Sequence, residues 1–296
     1  MQVLPNPVTR EATEELMVAA DLIVATGSQN NVREAYRSGT PAIGVGAGNV
    51  PVIVDSTADF ASAATKIAAS KTFDNATSCS SENLLVILAD VYDAAMAALV
   101  DAGAHIASPA EAERVIDHLF PDGQMNRAVI AQDAANLIEV FELDTDDCRF
   151  IIVEEPEPSS DRPLTGENLS LVLSVHKAAD FDDAVRLTRA VLDHQGIGRS
   201  VGIHRSNHAQ TTRLAEELPV VRVLENQAHT FGNGDSFDNG LPFTLSMGCG
   251  TWAGNSISEN LNISHFINIT HLVTTIAEHK PSEEGLFGGH WARYGK

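Results

Sequence analysis

Basic residues are scarce in this chain. Its 296 residues hold 40 acidic side chains against 19 basic ones, for a formal charge of −21, and only five of the cations are lysines. Nucleic-acid backbones are gripped by clustered Lys and Arg, so this balance argues against a nucleic-acid partner. Cysteine is equally thin, at three in the whole length. Three do not make a disulfide framework, and a lone thiol in a polar loop fits a reducing cytoplasm, the expected location. No apolar run is long enough to span a bilayer, so no membrane partner is expected. Met1 to Arg10 shows no basic start followed by an apolar stretch, so no secretory leader is expected either. His204, His208, His229 and His265 lack metal-ligand spacing, and no metal site is predicted.

What is present describes a globular protein, 44% hydrophobic and 20% charged, long enough for two domains. Many acids with few lysines suit a salt-adapted surface or an ordinary acidic enzyme alike; charge bears on solubility, not on fold. The patterning alternates. Leu22–Ala25 reads as a buried strand, 31–38 as a helix and 42–45 as a strand, a βαβ unit that implies a parallel sheet. Strands follow at 52–54, 84–88, 150–153, 171–175, 200–204 and 220–224. Helices are read at 11–19, 60–70, 92–102, 110–119, 131–141, 181–191 and 209–217. Repeated strand–helix alternation is the mark of an α/β protein. Residues 226–262 are rich in Gly and Asn without period and read as a long, functional or well-packed loop. Residues 265–274 alternate like a strand, and 281–296 read as an exposed tail with aromatic anchors.

Two runs carry the chemistry. Lys71-Thr72-Phe73-Asp74-Asn75-Ala76-Thr77-Ser78-Cys79 puts a cysteine at the end of a polar loop, between an alanine-rich helix and an apolar strand. Gly44-Val45-Gly46-Ala47-Gly48-Asn49-Val50-Pro51 alternates glycine with small residues, which permits close approach of backbone to a ligand. On spacing alone Cys79 is a nucleophile or a small buried hydrophobe, and both readings stay open.

Together these runs resemble the aldehyde dehydrogenase superfamily, and within it the branch that makes acyl-CoA. Ala25-Thr26-Gly27-Ser28 resembles the strand-to-helix turn of that family's nucleotide domain. Glu167-Asn168-Leu169-Ser170-Leu171 sits where the family has an acidic residue before a strand. Gly248 to Ser256 resembles a segment of the acylating branch. The ending, with Leu286-Phe287-Gly288, looks most like acylating sulfoacetaldehyde dehydrogenases. The fold implied is an aldehyde dehydrogenase-like α/β fold: a parallel-sheet nucleotide-binding domain lacking its first half, an α/β catalytic domain and an oligomerisation strand. The expected divisions are 1–50, 51–250 and 251–296.

The resemblance implies an NAD- or NADP-dependent oxidation of a small aldehyde, such as sulfoacetaldehyde, with coenzyme A as cosubstrate. Cys79 is the implied nucleophile and Glu167 the implied contact of the nicotinamide ribose. Val45 and Gly46 form a wall under the nicotinamide, and Thr26, Gly27 and Ser28 meet the cofactor phosphate. In hydrolytic relatives a glutamate occupies the position of Val45. Valine takes no proton, so water loses general-base help, a factor of roughly 10²–10⁴. A CoA thiol, with a pKa of about 8.5, needs less help. Arg199 stands where several acylating relatives carry histidine. It is read either as a salt-bridged surface residue, the commoner case, or as the contact of a sulfonate or CoA phosphate in the substrate site. Cys148, in an acidic turn, reads as structural, and Cys249 as a residue that can line the site.

The family's pyrophosphate helix and ribose reader have no counterpart here. A fragment, a misassigned start and a split enzyme completed by an upstream-encoded half are all compatible with that. Poor binding of nicotinamide cofactor by the chain alone is expected. A dimer or tetramer paired through 265–274 is expected as well, because an exposed strand of this composition calls for a partner. The competing readings are a hydrolytic dehydrogenase and a non-catalytic paralogue that binds a partner subunit.

Overall fold

The computed structural model describes residues 3–234 and 236–296. The chain opens with α1 (Arg10–Ala19), β1 (Ile23–Ala25), α2 (Gln29–Arg37) and β2 (Ala42–Gly44), and β1 pairs with β2 in parallel as a small sheet. Next come β3 (Val50–Val54), α3 (Phe60–Thr72), β4 (Glu82–Leu88), α4 (Tyr92–Asp101), β5 (Ala104–Ile106), α5 (Pro109–Leu119) and α6 (Ala134–Val140). The series continues through β6 (Phe150–Glu154), β7 (Val172–Ala178), α7 (Phe181–His194), β8 (Gly198–His204), α8 (Ala209–Glu217) and β9 (Val220–Glu225). It closes with α9 (His229–Asn233) and α10 (Glu283–Tyr294). Strands β3 to β9 form one parallel sheet in the order β5-β6-β7-β4-β3-β8-β9.

The central strands are apolar without a break because helices cover both faces. All seven residues of β4 are buried. Its side chains still alternate: Leu85 and Ile87 join the core under α3 and α4, while Leu84, Val86 and Leu88 join the core under α7. Helix starts follow the sequence closely. Asp59 accepts the Ser62 N–H at the head of α3, and Ser108 and Glu111 form a reciprocal capping box on α5.

One topological fact positions the site. In an all-parallel sheet every strand starts at the same edge. Asn49 precedes β3, Cys79 precedes β4, Glu167 precedes β7, and Arg199 is the second residue of β8. Four sequence-distant segments are therefore gathered at the amino-terminal edge. The carboxyl-terminal ends of β1 and β2 lead into the same cavity, through Thr26 and Val45.

Some expectations need correction. The short strand β5 and the helix α9, inside the segment read as a loop, were not anticipated; each is too short to show a period. The expected exposed tail contains a helix, α10, started by Ser282, whose hydroxyl accepts the Gly285 N–H. Residues 265–274 form no strand in this chain. A strand exists only as half of a ladder, and alternation alone does not supply the other half. The chain divides into two compact units, Met1–Asn262 and Ile263–Lys296. The second unit has no buried residue and leaves Phe266, Ile267, Ile269, Leu272 and Val273 exposed. No helix among the described residues is long and apolar enough to cross a membrane.

Candidate active site

The nucleophile loop is built on an unusual turn. Asp74, Asn75 and Ala76, three consecutive residues with side chains, have φ of 49°, 50° and 60°. Left-handed backbone costs on the order of 1–2 kcal/mol per residue outside glycine, and Asp and Asn tolerate it best. Local bonds hold it. Thr77 Oγ1 donates to the Asp74 carboxylate at 2.6 Å, and Asn75 Nδ2 donates to Asp133 Oδ1 at 2.8 Å. The turn ends α3 abruptly and delivers Cys79, partly exposed, to the wall of a cavity of about 1200 Å³.

That cavity is lined by Thr26, Gly27, Ser28, Val45, Gly46 and Gly48 as well as Cys79 and Glu167. Seven of the eight sequence-predicted site residues thus share one wall. The eighth, Arg199, lies just behind Cys79. Reading it as a surface residue was wrong: it is fully buried. Its Nη2 is 2.6 Å from Cys79 Sγ and 2.9 Å from Ser80 Oγ, and its Nη1 is 3.7 Å from Cys249 Sγ. Burial alone would lower the guanidinium pKa, but Cys79, Cys249 and Glu167 together raise it above its ordinary value. A permanent cation therefore sits against the sulfur. Such a charge stabilises negative charge developing beside it.

Glu167, in the segment before β7, lines the same cavity. Burial raises its pKa, opposed by the charges of Arg199 and Lys71, and its Oε1 is buried without a partner. A polar network places it. Asn83 Nδ2 donates to Asn49 Oδ1 at 2.9 Å, Asn83 Oδ1 accepts the Asn168 N–H at 3.1 Å, and Asn49 Nδ2 donates to the Thr165 carbonyl at 2.9 Å. Gln195 bridges the Gly48 carbonyl and the Glu167 N–H. Gly48 has to be glycine: a Cβ there would overlap the Glu167 carboxylate and come within 2.8 Å of Cys79 Cβ.

Lys71 and Glu82 were not singled out as functional from sequence, because a lysine and a glutamate flanking a loop normally face water. Both are buried. Lys71 Nζ donates to the Glu82 carbonyl at 2.9 Å and Glu82 Oε1 accepts the His229 N–H at 3.0 Å. Burial pushes Lys71 down to about 7 and Glu82 up to about 7. The pair ties the end of α3 to the start of β4 and so fixes the loop between them. Ser80 is the other missed residue; its Oγ also accepts from Asn233 Nδ2 at 2.9 Å. Burial and Asp147 push the Cys148 thiol up to about 11, as expected of a structural cysteine. Cys249, also buried, packs against Arg199 and beneath Gly46.

This geometry has counterparts among known proteins. The family model described as aldehyde dehydrogenase family matches residues 2–127. The sulfoacetaldehyde dehydrogenase (acylating) of Cupriavidus necator is 48% identical over 299 residues, covering all of this chain and 61% of that protein. The protein of the same description from Bilophila wadsworthia is 40% identical over 302 residues, covering all of this chain and 65% of that one. The crystal structure of an acetylating aldehyde dehydrogenase from Geobacillus thermoglucosidasius superposes with a TM-score of 0.86 at 31% identity, over 93% of this chain and 61% of that one. The chain spans about three fifths of the length of the relatives it matches.

Proposed function

Because the chain belongs to the aldehyde dehydrogenase superfamily, in its CoA-acylating branch, we propose that it carries the acyl-transfer machinery of an NAD(P)-dependent oxidation of a small aldehyde to its CoA thioester. The observation that carries this reading is the buried Arg199 guanidinium against Cys79 Sγ, in a cavity that also contains Glu167. Cys79 thiolate adds to the aldehyde carbon, and the resulting thiohemiacetal oxygen bears negative charge. A nicotinamide bound beside Glu167 would supply the acceptor for the hydride of this carbon. What remains on the chain is a Cys79 thioester, which the thiol of CoA then attacks, releasing acyl-CoA and the Cys79 sulfur. Arg199 stabilises that sulfur whenever it is released.

The cofactor fits the residues present. The unpartnered Glu167 Oε1 suits the ribose hydroxyls, and the lack of a side chain at Gly48 keeps the wall between Glu167 and Cys79 open. Thr26, Gly27 and Ser28, at the turn into α2, suit a phosphate, with Ser28 already accepting the Asn31 N–H as helix cap. An anionic substituent on the aldehyde, such as the sulfonate of sulfoacetaldehyde, suits the positive field of Arg199.

Val45 decides the acceptor. It is buried, lines the cavity, and offers no proton acceptor. In the assembled enzyme Val45→Glu is expected to raise hydrolysis of the acyl-enzyme relative to thiolysis by about 10²-fold. Acid and acyl-CoA quantified from one reaction check this, and an unchanged ratio with the fold preserved would refute the assignment.

We read residues 265–274 as the strand that pairs with a second copy. Their exposed apolar side chains support this, since such a segment is an aggregation hazard when unpaired. Light scattering at working salt is expected to give a dimer or larger, and Ile269→Pro, which removes a ladder donor, is expected to give a monomer.

A further inference from the structure

We propose that the cleft at the carboxyl-terminal edge of the seven-stranded sheet, around Lys66 and Arg205, is a second ligand site that takes a phosphate group. The cleft has a volume of about 360 Å³ and shares no lining residue with the cavity of Cys79. The strand β8 separates the two. Arg199 lies near its start, and Arg205 follows its last residue, His204. Six residues of extended chain place the two arginines about 20 Å apart.

Arg205 is the informative residue. It is 3% exposed, and its Nε and Nη1 are buried with no hydrogen-bond partner. A guanidinium taken out of water without an acceptor is costly, so an arginine held this way calls for an anion. Lys66, on α3, lines the same cleft and gives its ammonium to the Asn226 carbonyl at 2.7 Å, which leaves its charge uncompensated. Among the described residues neither cation has a carboxylate within ion-pair distance.

Two acids do line the cleft, but both are engaged. Asp59 caps α3, and Glu225 accepts from Thr211 at 2.5 Å and pairs with His208 at 2.9 Å. His204 lines the same cleft. Burial, and next the charge of Lys66, push its pKa down to about 4, so it is neutral at neutral pH and adds no charge. The cleft thus holds two cations without an ion-pair partner among the described residues, beside two carboxylates whose hydrogen bonds go to other groups, in a protein of net charge −21. Phosphate suits this better than a carboxylate does. It carries close to two charges near pH 7, and its oxygens can serve a guanidinium and an ammonium at once.

The test is calorimetric titration of the intact chain with inorganic phosphate, with chloride at equal ionic strength as control. Saturable binding is expected. Lys66→Gln and Arg205→Gln are each expected to weaken it by about tenfold or more, the loss of one charge-assisted contact. Arg199→Met, at the other end of β8, is expected to leave it within about twofold. Circular dichroism shows whether each variant is folded. If Arg205→Gln does not fold, Lys66→Gln decides alone, because that side chain is only partly buried. Absence of saturable heat, binding that survives in a folded Lys66→Gln variant, or binding lost in Arg199→Met would each overturn the proposal.

Discussion

Incubated with a short-chain acyl-CoA, the chain is expected to gain one acyl group, on Cys79, and the Cys79→Ser variant to gain none. This exchange is the reverse of the last catalytic step: the Cys79 sulfur attacks the thioester carbonyl and CoA leaves as its thiol. It needs no nicotinamide, so it isolates the chemistry assigned to this chain. Serine fails for a physical reason. Among the described residues no histidine lines the cavity around Cys79 to act as a base for a hydroxyl, and Arg199 cannot serve as one. The rate should fall by at least about 10³-fold, as it does when a nucleophile is removed from a preorganised site. Intact-mass and peptide mapping give the site and extent of the label. Label on Cys148 or Cys249, or an adduct that persists in Cys79→Ser, would remove Cys79 from the mechanism.

Arg199→Met is expected to slow alkylation of Cys79 by iodoacetamide at pH 7 by about 10–100-fold, the worth of roughly 1.5–3 kcal/mol for one charge-assisted hydrogen bond. Arg199→Lys should recover part of the rate, since it restores the charge without the fork that also reaches Ser80 and Cys249. Removing one member of a buried charge cluster costs about 3–5 kcal/mol, so circular dichroism has to show that the methionine variant is folded before its rate is read. Ser80 would keep its bond from Asn233. Equal alkylation rates for both proteins at pH 7 would show that the contact at 2.6 Å does not activate the sulfur.

The elements visible in advance were those with enough length to show a period. Helices α3, α7 and α8 and the strands β4, β6 and β8 lie within a few residues of their expected bounds. The short β5 and α9 carry too few residues for periodicity to register, and α10 was hidden by its three glycines, which lower helix propensity. The strand read at 265–274 has no ladder partner within this chain. Alternation there is real, but a ladder is a property of two segments and not of one.

The site divides in the same way. The glycines around Gly46 stood out by residue type inside a short run, whereas the roles given to Cys79, Val45 and Glu167 came through resemblance to family motifs; the cavity brings all of these residues together. Arg199 was misjudged, and Lys71 and Glu82 were passed over, because a lone charged residue in a sequence is most often solvated. Only tertiary structure could bury them. The parallel sheet brings the starts of β3, β4, β7 and β8 to one edge, so residues 120 positions apart in sequence, Cys79 and Arg199, meet within a hydrogen bond. By itself the sequence determined the α/β alternation, and through its resemblance to a family it pointed to Cys79 as nucleophile and to Val45 as the place of a missing base. The partner of the nucleophile was decided by strand order, which depends on long-range pairing that no local pattern encodes.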